Sequence, residues 1–236
     1  MASIKGVITL KSNLIILSGD GTYNSPYKLN DYSYGKQQDK LNTRLVGEYV
    51  NYSGSIYRIM NIDNDNNVAL ISIDGMTKTV SGLSGSTYLL SSVSNDKKFV
   101  FNITDKDNPG YILNNDYSDY INDSYILKHE YQIPTNTSDK MYNKYTTKKV
   151  SAKLSLPKTY DLFSGKQSTS NGQLFLYIDE SQSDNKVFFM NIRNAQVYED
   201  VKNIYGEYGL KIVITIKGDL LIKSGNGTIN NPYYVR

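Results

Sequence analysis

The chain contains no cysteine and no tryptophan, and among its 236 residues there are five prolines and a single histidine. Without thiols there is no disulfide framework, no thiolate metal site and no cysteine nucleophile. His129, followed by Glu130, has no second imidazole or thiolate to complete a zinc set, and its surroundings do not read as a Ser-His-Asp triad. Charge of one sign is missing as well. The 26 basic and 23 acidic residues are interspersed, and no basic block marks a nucleic-acid binder. No run reaches the roughly 18 apolar residues of a membrane-spanning helix. Met1 to Lys5 leads into a strand pattern and not into a signal peptide. The Met-Ala-Ser start reads as an added one, so an export signal and an anchor are expected outside this stretch.

Tyrosine is in excess, at 22 residues, and 39% of the chain is apolar, enough for one good core or two small ones. An AT-rich genome, whose codons favour Asn, Lys, Ile and Tyr, is one source of this bias; a recognition surface is the other. Tyrosine presents a rigid apolar face with a polar tip, suited to sugars and protein interfaces. Tyr111, Tyr117, Tyr120, Tyr125 and Tyr131 read as helix packing. Tyr142 and Tyr145 lie in a polar stretch and are the candidate ligand contacts.

The chain repeats itself at its two ends. Val7 to Leu29 (VITLKSNLIILSGDGTYNSPYKL) returns as Val213 to Val235 (VITIKGDLLIKSGNGTINNPYYV), with every aligned pair 206 residues apart and 13 of 23 positions identical. Each copy has an alternating β-branched run, a Ser-Gly-x-Gly-Thr turn and a Pro-Tyr strand, which predicts a β-hairpin with glycine at positive φ. A repeat seen only at the ends implies a period of about 206 residues, one whole module preceded by the closing hairpin of another. The expected organisation is a hairpin over 1–30, a linker over 31–42 and a main β-rich module over 43–236.

Between the copies, Glu48 to Tyr52, Ile56 to Ile62 and Val68 to Ile73 predict a three-stranded meander, followed by a Gly/Ser/Thr-rich stretch around Tyr88, Leu89 and Leu90. Lys98 to Thr104 predicts a strand. Asn108-Pro109 opens a helix expected to run to about Lys128. Glu130 to Val150 reads as a long polar excursion. A short helix is expected from Ser155 to Gly165, then strands at Leu174 to Ile178, Val187 to Ile192 and Gln196 to Val201 and the final hairpin. The predicted class is α+β, mainly β, with twisted antiparallel sheets, one medium helix and one short one.

Local motifs favour structural roles. Leu156-Pro157-Lys158-Thr159 begins like a sortase sorting signal, but Tyr160 replaces the glycine and no apolar tail follows, so a helix cap is the better reading. Asp63 to Asn67 begins like a calcium loop, yet Val68 stands where glycine is needed and Asp74 where the bidentate Glu belongs; a polar hairpin turn explains it better. The glycine turns lack the Lys and following helix of a phosphate loop. No carboxylate pair stands out among Asp161, Asp179, Glu180, Glu199 and Glu207. No catalytic residue, metal or cofactor is predicted.

Taken together, Val46-Gly47-Glu48-Tyr49-Val50, Tyr57-Arg58-Ile59, Ala69-Leu70-Ile71-Ser72, Leu113-Asn114-Asn115-Asp116-Tyr117, Leu156-Pro157, Asp161-Leu162-Phe163-Ser164-Gly165 and Tyr208-Gly209-Leu210 to Pro232-Tyr233 have an order that resembles a module of surface and pilin-like proteins of low-GC Gram-positive bacteria. That family is similar in motif order to C-type-lectin-like and formylglycine-generating-enzyme-like domains. Here Gln173 to Tyr177 and Gly209 to Val213 stand in place of that fold's late Arg-bearing segments, and the arginines are absent.

The expected function is a non-enzymatic module at the cell surface or outside the cell, a structural subunit of a filament or repetitive adhesin. Its expected partners are copies of itself, with no nucleic acid and no membrane contact. The alternative is a lectin-like domain that binds a glycan or host surface protein through Tyr142 and Tyr145. The candidate inter-subunit strand residues are Val7, Thr9, Leu14, Ile16, Pro26 and Tyr27 with their twins Val213, Thr215, Leu220, Ile222, Pro232 and Tyr233. An amphipathic hairpin without its module has an open edge, which invites completion of another chain.

Overall fold

The structure, a computed structural model, describes residues 16–29, 35–75, 83, 84, 87–89, 100–134, 147–158, 161, 174–176, 178, 186–191, 196–201 and 207–236. Two compact units are present, Met1–Tyr34 and Gly35–Arg236. In the first, β1 (Ile16–Ser18) pairs antiparallel with β2 (Lys28–Leu29). The second carries β3 (Tyr49–Tyr52), β4 (Ser55–Ile62), β5 (Val68–Ser72), β6 (Leu83–Ser84), β7 (Thr87–Leu89), β8 (His129–Pro134), β9 (Thr147–Ala152), β10 (Leu154–Ser155), β11 (Leu174–Leu176), β12 (Lys186–Asn191), β13 (Gln196–Val201), β14 (Glu207–Gly209), β15 (Val213–Ile216), β16 (Ile222–Ser224) and β17 (Tyr233–Val235). The protein is mainly β, of the α+β class.

A seven-stranded sheet runs β10-β15-β5-β4-β3-β17-β16, and a six-stranded one runs β13-β12-β11-β14-β7-β6. Both are mixed where antiparallel sheets were expected, because β17 lies parallel to β3 and β14 parallel to β11. The cause is connectivity: β17 reaches β3 through most of the chain, and a long return frees a strand from the antiparallel order that a hairpin imposes. The meander does follow its sequence. Ser53 (φ 52°) and Gly54 (φ 82°) both adopt positive φ, the two-residue turn that matches strand twist, and close β3 onto β4 at Tyr52 and Ser55.

The core forms where the large sheet meets a helical segment built of an α-turn (Pro109–Tyr111), a π-turn (Ile112–Asp116) and a 3-10 turn (Tyr117–Tyr120). Ile112, Leu113 and Tyr117 belong to one buried cluster with Val50, Tyr57, Ile59, Leu70, Ile214 and Ile216. A second cluster joins Val213 and Ile71 to Tyr131 and Ala152 of the β8–β9 hairpin. Covered on both faces, β15 buries all four residues of its Val-Ile-Thr-Ile run. That is why this strand is apolar without alternation. Each fully buried aliphatic side chain contributes about 1.5–3 kcal/mol.

The predicted cap is present. Asn108 accepts through Oδ1 from the amides of Gly110 and Asn102, both at 3.0 Å, and Pro109 takes the first turn. The helix ends at Tyr120 and not near Lys128, since Ile121 is extended and Asn122 caps a separate turn, Asp123–Tyr125. Residues 100–104 form no strand; the Asn102 amide and Val100 carbonyl bond the Asn108 side chain instead. The short helix expected from Ser155 begins in a strand, β10, held by β15 and by Asn114, whose Oδ1 accepts from Lys153 and Leu154 amides at 3.0 Å. The excursion expected over 130–150 contains an antiparallel pair, β8 and β9, with Tyr131 and Ile133 buried and Gln132 exposed between them. Residues 35–42, expected within a linker, are part of the larger unit: Leu41 is fully buried.

Candidate functional site

The best-defined polar arrangement in the larger unit surrounds the C-terminal hairpin. Its turn needs glycine twice. Gly225 (φ +91°) would place a Cβ 2.0 Å from the Pro232 carbonyl oxygen, and Gly227 (φ +76°) would place one 2.5 Å from the Tyr233 ring. The missing side chain lets the ring lie on the backbone of the turn. Tyr233 is 0% exposed. Its hydroxyl donates to Glu48 Oε1 at 2.6 Å and accepts from the Gly35 amide at 2.7 Å. Glu48, also buried, accepts through Oε2 from the Leu45 amide at 2.6 Å. Burial, reinforced by the Glu48 bond, pushes the Tyr233 phenol above its usual range.

This seat is closed along its edges. On one side β17 pairs parallel with β3, and the Tyr49 amide donates to the Gly227 carbonyl at 2.8 Å. On the other, Gln38 donates to Ile222 O at 2.8 Å, Ile222 to Asp39 O at 2.9 Å and Leu41 to Leu220 O at 2.8 Å. β16 therefore exposes no unpaired strand edge along Ile222. The residues that provide this cover directly follow the smaller unit in sequence.

The N-terminal twin folds in the same way. Ile16 pairs with Leu29 and Ser18 with Lys28, as Ile222 pairs with Val235 and Ser224 with Tyr234, each 206 residues on. Gly19 (φ +92°) and Gly21 (φ +81°) repeat the left-handed turn, and Tyr27 lies on Gly21. Burial separates the copies. Ile16 and Tyr27 are each 54% exposed, whereas Ile222 and Tyr233 are 0% exposed. Pro26 is exposed and Pro232 buried. Val7, Thr9 and Leu14 lie outside the described residues, and so do Tyr142 and Tyr145. Val213 and Thr215 lie in β15, paired on one side with β5, and Leu220 is buried.

Asp179 and Glu180 lie outside the described residues; Asp63, His129, Glu130, Leu156, Pro157 and Asp161 take structural places. Asp63 Oδ1 accepts from the amides of Asp65 and Asn67 at 2.9 and 2.8 Å, a hairpin turn whose acceptor is spent on its own backbone. His129 sets its ring edge-on to Tyr131 at 5.1 Å, and Glu130 pairs with Lys149 at 2.6 Å. Leu156 and Pro157 are buried, and the Asp161 carboxylate accepts from the Lys158 amide at 2.7 Å. Among the described residues no group of three acidic, His or Cys side chains is placed to hold a metal, and no helix is long and apolar enough to cross a membrane.

A hollow of about 220 Å3 is lined by residues including Tyr57, Ser72, Asp74, Tyr117 and Ile212. The Ser72 hydroxyl is already engaged, since its Oγ donates to Asp74 O at 2.8 Å and accepts from the Ile212 amide at 2.9 Å. Nearby Lys211 is 3% exposed, and burial, opposed by Asp74, brings its ammonium down to about 8. The Glu48–Gly35 seat was missed by sequence reasoning. The one signal that could have found it is the Pro-Tyr pair kept in both copies. Comparison of the chain with family models, curated proteins and solved structures gave no match in any of the three.

Proposed function

We propose that this chain is a structural module of a repetitive protein of the cell surface or extracellular space, related to the surface and pilin-like modules that its motif order resembles, and that it catalyses no reaction. The observation that carries the reading is the second hairpin, built on the same register and glycine geometry 206 residues from the first. A duplicated closing element has a use in a chain of modules and none in a lone enzyme. Among the described residues, Asp63 and Asp161 are engaged by backbone amides and Glu130 by Lys149, which supports the same reading.

Two measurements test it. Protease treatment of intact cells producing the protein should release fragments of this module. Purified protein should turn over none of a panel of glycans, peptides and phosphoesters. Turnover abolished by a His129 or single carboxylate substitution, or full protection of the module inside intact cells, overturns the reading.

A further inference from the structure

We propose that residues 16–29 form a plug for a second copy of this module, seated against that copy's Glu48 and Gly35 as residues 222–235 are seated in this chain. The inference rests on the reading of the chain as a module of a repetitive protein, and adds the partner and the contact. Three observations lead to it.

The first is the pattern of identity between the hairpins. Over Leu220 to Val235 the buried residues are Leu220, Ile222, Gly227, Pro232 and Tyr233, and each is unchanged in the twin as Leu14, Ile16, Gly21, Pro26 and Tyr27. The seven differences in this stretch, at positions 221, 223, 226, 229, 231, 234 and 235, all fall on half-buried or exposed sites. The seat constrains what it touches, and the plug satisfies every one of those constraints.

The second is conformation. The plug is already folded into the seated shape, with Asp20 N bonded to Ser25 O at 2.9 Å as Asn226 N is bonded to Asn231 O at 2.9 Å. Docking would need no refolding of the turn, so little conformational entropy is lost. The third is exposure. Ile16 and Tyr27 show solvent the apolar surface that their twins hide, and the Tyr27 hydroxyl is chemically matched to the Glu48 carboxylate and Gly35 amide.

The same comparison limits the plug. Gly218 would place a Cβ 1.8 Å from Asn66 O, and its counterpart is Ser12. Residues 7–13 therefore do not fit the place of residues 213–219, and the exchange stops at the edge hairpin. The β15 strand stays with its own body. In a lone chain the seat holds its own hairpin, so the plug competes for it; a body whose own hairpin is displaced is its target.

The test has two parts. In the first, residues 220–235 of the full chain are replaced by the sequence of residues 14–29. The expected result is cooperative unfolding with a Tm close to that of the parent, and a chain that does not fold overturns the proposal. In the second, the Gly227→Val chain, whose hairpin is unseated, is mixed with the parent chain, and the mixture is weighed by native mass spectrometry. A one-to-one complex is expected, weakened about tenfold when the parent carries Tyr27→Phe, the loss expected for a hydroxyl that bonds a buried carboxylate. Should the valine chain not fold, Tyr233→Phe, which loosens the seat while keeping the ring, takes its place. A folded variant that forms no complex, or a complex indifferent to Tyr27→Phe, overturns the docking. Neither result bears on the substrate panel or the protease treatment of intact cells, which test the structural reading separately.

Discussion

The two hairpins are one peptide in two environments, and the contrast separates what local sequence decides from what a partner decides. Register, glycine conformation and the tyrosine lying on the turn are common to both, so they are written into some 16 residues. Burial differs completely at Ile16 against Ile222 and at Tyr27 against Tyr233. A β-hairpin of this size gains little from its own contacts. What the C-terminal copy gains comes from β3, from residues 38–41 and from the Glu48 carboxylate.

The largest expected effect comes from placing the same side chain in both turns. Gly227→Val combines positive-φ strain with a clash against a ring that cannot move, each costing about 1–3 kcal/mol. The melting temperature of the larger unit should fall by roughly 10 °C, taking about 2–4 °C per kcal/mol. Gly21→Val carries the same strain, but Tyr27 is 54% exposed and its ring can swing out. The main transition should move by less than about 2 °C, as for surface changes generally. Equal shifts in differential scanning calorimetry would show that the copies are equally supported.

A smaller difference is expected from the hydroxyls. Tyr233→Phe removes the hydroxyl that donates to the buried Glu48 and accepts from the Gly35 amide, which costs about 1–3 kcal/mol. Tyr27→Phe should change stability by less than about 0.5 kcal/mol. Urea titrations of both variants measure the difference. If Tyr233→Phe proves as mild as Tyr27→Phe, the polar seat is not what holds the C-terminal copy.

The contrast also explains which features sequence could reveal. The Asn108-Pro109 cap, the Ser53-Gly54 turn and the twin turns are settled by groups within a few residues of one another, and residue types at fixed offsets betray them. The partners of Tyr233 lie 185 and 198 residues away, at Glu48 and Gly35, and no spacing rule connects them. The parallel pairing of β17 with β3 was hidden for the same reason. Residues 35–42 read as a linker because they are polar; their strand-like bonds to β16 use backbone amides and carbonyls, which composition does not report. The β8–β9 pair was obscured by charges on its exposed face, although Tyr131 and Ile133 kept the two-residue period.

The pH dependence of stability should sharpen the comparison further, because its main terms lie in the larger unit. Burial holds Lys211 down to about 8, below the ordinary lysine value of roughly 10.4. Between about pH 8 and 10 the unfolded chain therefore binds more protons than the folded one, and stability rises with pH. Above about pH 10 the sign reverses. Burial pushes Tyr52 up to about 12 and raises Tyr57, Tyr131 and Tyr233, so the folded chain keeps protons that the unfolded chain has released. Stability should peak near pH 10 in denaturant titrations, with Lys211→Met removing the rising limb. A profile flat from pH 8 to 11 would contradict both burial effects.

The smallest expected effect comes from the one substitution within the Ser-Gly-x-Gly-Thr sequences, Asp20 against Asn226. Asp20 Oδ1 accepts from the Thr22 amide at 3.0 Å, and Asn226 Oδ1 accepts from the Thr228 amide at 3.2 Å and its hydroxyl at 2.8 Å. The bonds to Thr22 hold the Asp20 carboxyl below its usual value, so their support is present above about pH 4 and lost as pH falls through the lowered value. Asn226 has no proton to gain in that range. In two-dimensional NMR the Thr22 amide should shift with a midpoint below pH 4 while Thr228 stays fixed, and Asp20→Asn should abolish the Thr22 titration while leaving the hairpin's chemical shifts otherwise close to the parent's. A Thr228 amide that titrates together with Thr22 would mean that both turns respond to some shared acidic group, and the two hairpins would then differ in burial alone.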